Sequence, residues 1–165
     1  MNNQSLETLI REELARARAS RVPTDNMVLS LAKQLSEAVE AEAARIGVNA
    51  VVAISDRAAR PVLVHVMEDA YIASYDVALQ KAYTVVALKM STMTLKPLAQ
   101  PGASLYGIQF TNDGQIVIFG GGEPLKIGDR VIGGLGVSGG SEEQDAALAA
   151  FGADFFARLV KNAYL

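Results

Sequence analysis

The side chains in this 165-residue chain that could do chemistry are few and isolated. His65 is its one imidazole, and there is no cysteine. One histidine without cysteine cannot build an all-protein zinc site of the usual kind. His65 therefore reads as an axial haem ligand, a general base, or an edge histidine with no function. Lys81 and Asp76 sit on a segment that is otherwise apolar nearly all round. A charge there must reach solvent, a partner or a ligand. Lys81 could hold a ligand carboxylate such as a haem propionate, or form a structural ion pair with a nearby acid.

Glycine is the second signal. Thirteen of the fourteen glycines lie after residue 100. Val137-Ser-Gly-Gly-Ser141 precedes a helix pattern, and exposed amides at a helix start suit an anion. Yet Glu142, Glu143 and Asp145 fill that first turn and would repel a phosphate. The spacing matches neither phosphate-loop nor dinucleotide fingerprints, so a well-capped helix is the better reading. Gly120-Gly121-Gly122 follows an apolar run. Either the turn needs positive φ twice, or a ligand or a neighbouring subunit lies against the backbone. Tyr71, Tyr75, Tyr83, Tyr106 and Phe119 could line a flat pocket beside it or serve as core. No serine–histidine–acid arrangement, nucleophile elbow or paired-carboxylate motif stands out.

These residues must be positioned by short elements. Leu6, Leu9, Ile10 and Leu14 form one stripe of a short amphipathic helix over 4–18, and Pro23 lies in the break that follows. Val28, Leu31, Leu35, Val39 and Ile46 predict a helix over 26–46, with Asp25 as a cap and Gly47 as a stop. Residues 49–55 and 61–67 predict a hairpin, and 74–90 a third helix packed on several sides. Pro97 and Pro101-Gly102 mark a loop. Strands are expected at 106–110, 115–119 and 130–137, with Asn112-Asp113-Gly114 and Gly128-Asp129 as turns. Ser141 and Gln144 form a capping box that opens a last helix to about residue 161, with Leu148, Phe151, Phe155 and Leu159 buried. The order α-α-β-β-α-β-β-β-α, joined by short turns, predicts an α+β fold: an antiparallel sheet of about five strands flanked by helices.

Composition narrows the function. A net charge of −3 and pI near 5.2 argue against a nucleic-acid or anionic-membrane surface. The absence of cysteine suits a reducing cytoplasm. The N-terminus lacks the basic and apolar regions of a signal peptide. No apolar run approaches the roughly 20 residues that a membrane span needs.

Several motifs together resemble one family. They are Asp76-Val-Ala-Leu-Gln-Lys-Ala-Tyr-Thr84, Gln100-Pro-Gly102, Leu105-Tyr-Gly107, Phe119-Gly-Gly-Gly122 with Pro124, and Gly133-Gly-Leu-Gly-Val-Ser-Gly-Gly140 with Glu143-Gln-Asp145. This set is similar to the GlcG/HbpS family, which includes the C-terminal domain of PduO-type propanediol-utilisation proteins. The resemblance covers about residues 26–160. It implies an antiparallel sheet flanked by helices, assembly into homo-oligomers, haem binding in some members, and no established reaction. The function expected is an accessory protein that binds a tetrapyrrole (haem or corrinoid); the alternatives are a structural oligomer with no small ligand and an uncharacterised small-molecule enzyme. The adenosyltransferase domain of PduO has no counterpart here. Ser55-Asp56-Arg57-Ala58-Ala59 departs from the family's Val-Asp-Ala-Gly-Gly turn, and Val66-Met67-Glu68 replaces Arg-Met-Asp. The shared motifs contain no axial ligand, which leaves His65 as the candidate for haem iron. Lys81, Tyr106, Gly120, Gly121 and Gly122 are the other candidate cofactor contacts.

Residues 1–11 also resemble the encapsulation peptide of microcompartment propionaldehyde dehydrogenases. That divides the chain into residues 1–25, a helix and linker, and a domain over 26–165. The resemblance implies that Leu6, Leu9, Ile10 and Leu14 dock on shell or cargo proteins inside a bacterial microcompartment. The alternative is a helix packed on its own domain or on a neighbour.

Overall fold

The structure, a computed structural model, describes residues 25–163 and, ahead of them, Glu12. The expected N-terminal helix, with Leu6, Leu9, Ile10 and Leu14, lies outside the described residues. Ten elements follow in order: α1 Leu29–Arg45, β1 Val51–Asp56, β2 Pro61–Val66, α2 Ile72–Leu88, α3 Thr92–Leu98, two short 3₁₀ turns, β3 Gly122–Ile127, β4 Arg130–Ser138 and α4 Glu142–Ala163. The α+β class is as expected. Among the described residues the sheet has four strands rather than five, in the order β2-β1-β4-β3, each pair antiparallel.

Periodicity explains the layers. Leu31, Leu35, Val39 and Ala43 of α1 are buried, with Val28 and Ile46 half-buried at its ends. Gly47 leaves the helix at φ +72°, as its position suggested. Asp25 does not cap it. Val28 stands at the cap without a side-chain bond, and Asn26 instead accepts from the amides of Met27 and Arg57. Against α1, on the same face of the sheet, lies α4. Leu148, Ala149, Phe156 and Val160 are its most buried apolar side chains, with Phe151, Phe155 and Leu159 on the flank. The Ser141–Gln144 capping box closes as expected: the Gln144 amide donates to Ser141 Oγ and the Ser141 amide to Gln144 Oε1. The opposite face of the sheet is covered by α2, whose Ala78 and Ala82 meet Val51 and Ala53.

Two expectations fail, for separate reasons. The Pro97 loop is the helix α3, started by Ser91 Oγ, which accepts from the Thr94 amide. Pro97 lies within it and costs the one bond its missing amide would have made to the carbonyl of Met93. Residues 106–119 form no strand. Asn112, Asp113 and Gly114 all take positive φ inside 3₁₀ turns. Thr84 of α2 takes up the backbone there instead: its hydroxyl, which donates to Gln80 O within the helix, accepts from the Val117 amide. The edge of the sheet belongs to β3, where Pro124, which has no amide to donate, fits an edge position. Gly128 at φ +58° turns β3 into β4, as its sequence predicts.

Candidate functional site

Lys81 is the centre of a closely hydrogen-bonded cluster. It is fully buried. Its Nζ donates to Val137 O at 2.7 Å and to Asp145 Oδ2 at 2.9 Å, and stands 5.0 Å from the centre of the Phe119 ring. Burial pulls the ammonium below the ordinary lysine range, while the charges of Asp145 and Glu142 oppose that. Asp145 also accepts from the Gly140 amide through its other oxygen at 2.9 Å. One carboxylate thus ties α2 to the last turn before α4. Of the two readings of Lys81, the structure has the ion pair.

The triple glycine is explained by the chain itself. The Gly120 amide donates to Glu142, the Val137 amide donates to Gly121 O, and the Gly122 amide donates to Thr92 Oγ1. A Cβ on Gly121 would lie 2.6 Å from Lys81 Nζ; one on Gly122 would lie 2.8 Å from Thr92 Cγ2. Only Gly121 takes positive φ, at +114°. The close partners of this backbone are Lys81, Thr92, Met93 and Glu142, so the glycines clear space for the buried lysine and for α3. Glu142 also holds Lys96 Nζ at 2.6 Å. Chiefly that bond, with the Gly120 amide, holds its carboxyl below the usual glutamate range.

Above this cluster lies an open groove of about 340 Å³, lined by Tyr71, Val77, Phe119, Ser138, Glu142 and Asp145 among others. It shares Tyr71 and Gly140 with an adjoining, more polar hollow of about 490 Å³. Ser74 and Ser138 bond to one another at its floor.

His65 lies elsewhere. On the edge strand β2 it pairs with Val52 and faces α1, on the side of the sheet opposite α2. Its Nδ1 is 2.7 Å from Glu40 Oε1, and Ser36 Oγ donates to that same oxygen. The imidazole side chain is 42% exposed, so its other nitrogen has a route to solvent. Tyr106 is exposed in the segment after α3 and lines neither hollow. The candidates therefore fall into three places rather than one. Among the described residues, no group of three histidine or acidic side chains could hold a metal ion. Sequence reading missed Glu40, Ser36 and the Asp145 bridge. The spacing of Ser36 and Glu40, one helical turn apart, was the available signal.

The class is an α+β domain whose antiparallel sheet is covered by helices on both faces. The chain belongs to the HbpS-like family, whose description is "Haem degrading protein HbpS-like" and whose model matches residues 27–154. Three relatives place it further. It is 45% identical over 133 residues to an uncharacterised 15.0 kDa protein from the dhaT–dhaS intergenic region of Citrobacter freundii, covering 81% of this chain and 94% of that one. It is 38% identical to the corrinoid adenosyltransferase PduO of the same organism, over 81% of this chain but only 40% of that protein. The crystal structure of a PduOC–haem complex superposes with a TM-score of 0.75 at 38% identity, covering 78% of this chain and 94% of the other.

Proposed function

We propose that this protein binds a tetrapyrrole, haem in the first instance, as an accessory protein rather than an enzyme. The observation that carries the reading is the likeness to the PduOC–haem complex over nearly all of that chain. The residues present suit the group. His65 is held from behind by Glu40, which leaves the second ring nitrogen free to act as a neutral donor to iron. Tyr71 and Phe119 offer exposed aromatic surface at the groove, and Tyr106 at a third place, each apart from His65. Lys81 and Gly120–Gly122 are engaged by the chain itself.

Titration with haemin checks this. A Soret band should appear and saturate at a fixed stoichiometry, and should shift or weaken in His65→Ala. Equal titration with a cobalamin separates haem from corrinoid. A wild-type protein that changes neither spectrum overturns the reading.

Assembly and location form the second half of the proposal: a homo-oligomer recruited to a bacterial microcompartment by residues 1–25. Large apolar side chains stand in solvent on the described surface, with Ile72 at 96% and Phe110 at 80% exposure, which favours a covering partner. The PduO relative supports the pathway. Deleting residues 1–20 should leave the number of protomers, read from the light-scattering mass, unchanged while abolishing co-purification with shells. A deletion variant that is still encapsulated removes the targeting role.

A further inference from the structure

We infer that Glu40 and Ser36 of α1 are positioning residues for His65, fixing its imidazole as the Nδ1–H tautomer so that Nε2 is the donor nitrogen offered to a metal centre. The inference deepens the haem reading and, for the iron, rests on it.

The argument is geometric. Glu40 Oε1 and His65 Nδ1 are 2.7 Å apart, a charge-assisted distance, and a carboxylate can only accept. The proton must then be on Nδ1. The Glu40 oxygen is itself fixed, because the hydroxyl of the fully buried Ser36 donates to it from one turn earlier on the same helix. The ring is anchored on its other side by the strand. His65 pairs with Val52, and its neighbour on the same face, Leu63, is buried in the α1 side of the core. Ser36, Glu40 and His65 thus form a relay from the interior to a partly exposed ring. Among the described residues, Nε2 has no hydrogen-bond partner. A carboxylate behind an imidazole orients the ring and strengthens its donor nitrogen, and loss of such a partner typically costs about 10–100-fold in metal affinity. An edge histidine without function would need neither the buried serine nor the short contact.

Two measurements decide it. In the ligand-free protein, long-range ¹⁵N–¹H NMR of the neutral imidazole should show Nδ1 protonated and Nε2 bare. Glu40→Ala should return the ring to the Nε2–H form that a solvated histidine side chain prefers. Haemin titration should then show Glu40→Ala binding about 10–100-fold more weakly. Glu40→Gln, which can still accept from Nδ1–H, should lie between it and wild type, and Ser36→Ala should lose less. A wild-type ring protonated at Nε2 overturns the inference whatever haem does. Haem bound equally well and with the same spectrum by wild type, Glu40→Ala and His65→Ala overturns it while the haem reading stands. If wild type takes up no haem, the haem reading and the iron role fall together, and the NMR alone decides the tautomer.

Discussion

Replacing Lys81 by methionine is expected to destabilise the protein by about 3–5 kcal/mol, the usual cost of leaving one partner of a buried ion pair uncompensated. At roughly 2–4 °C per kcal/mol for a chain of this size, the midpoint of thermal unfolding should fall by about 6–20 °C. Methionine keeps most of the stem, so cavity formation contributes little. The cost falls on Asp145, which is 4% exposed and keeps only the Gly140 amide. Asp145→Asn makes the reverse deletion, and its outcome should depend on pH. In that variant the ammonium stays buried without its main counter-charge, so its folded-state value drops further below the unfolded one. Between those two values the unfolded chain holds the proton and the folded chain does not. Stability then rises with pH across that window, towards the ordinary lysine value of about 10.4. Lys81→Met should show no such alkaline recovery. The double variant Lys81→Met/Asp145→Asn removes both charges while keeping an acceptor for Gly140, and it should regain more than half of the single-variant loss. Urea unfolding at pH 7 and pH 9.5 measures all three. A Lys81→Met cost below about 1 kcal/mol would mean that the pair is not what holds α2 to α4.

The part of this site that could be read from sequence was the part decided locally. Lys81 stands out because a charge on an apolar helix needs a partner, and His65 because it is alone. Their partners could not be read. Asp145 is 64 residues from Lys81, and Glu40 is 25 residues from His65 on a different element, so only the folded topology joins them. The same division holds for the fold. The Gly128 turn and the Ser141–Gln144 box carry their own chemistry and appear where expected. The alternation of Tyr106, Ile108 and Phe110 reads as a strand, but a strand also needs an open ladder beside it. Here β3 takes the place next to β4, and Tyr106 and Phe110 remain in solvent. The triple glycine reads as a turn needing positive φ twice or as backbone against a ligand or a subunit; only Gly121 takes positive φ. What approaches it is a lysine of the same chain, which sequence separation concealed.

The second large effect is expected at Gly136. On β4 this residue faces α2, and a Cβ there would stand 2.0 Å from Ala78 O and 2.7 Å from the Ala82 nitrogen. Gly134, two residues earlier on the same face, would meet Ala82 O at 2.4 Å. These obstacles are helix backbone, which cannot swing aside as a side-chain tip can. Gly136→Ala must therefore lift α2 from the sheet as a unit. Overpacking of this kind costs typically about 1–3 kcal/mol and sometimes more. The displaced helix also carries Lys81, which sits between Ala78 and Ala82 and reaches Val137 O, one residue along from Gly136. Losing that reach adds part of the ion-pair cost, so Gly136→Ala should lose at least about 3 kcal/mol in urea unfolding. Gly47→Ala is the control. It has open space around the new methyl group and only left-handed strain at φ +72°, worth about 1–2 kcal/mol. Ala78→Gly should not rescue Gly136→Ala, because the contact is with the carbonyl of residue 78 and not with its methyl. Rescue by that second change, or a Gly136→Ala cost no larger than that of Gly47→Ala, would show that α2 has freedom to move on β4. The close approach would then not be what brings Lys81 to Asp145.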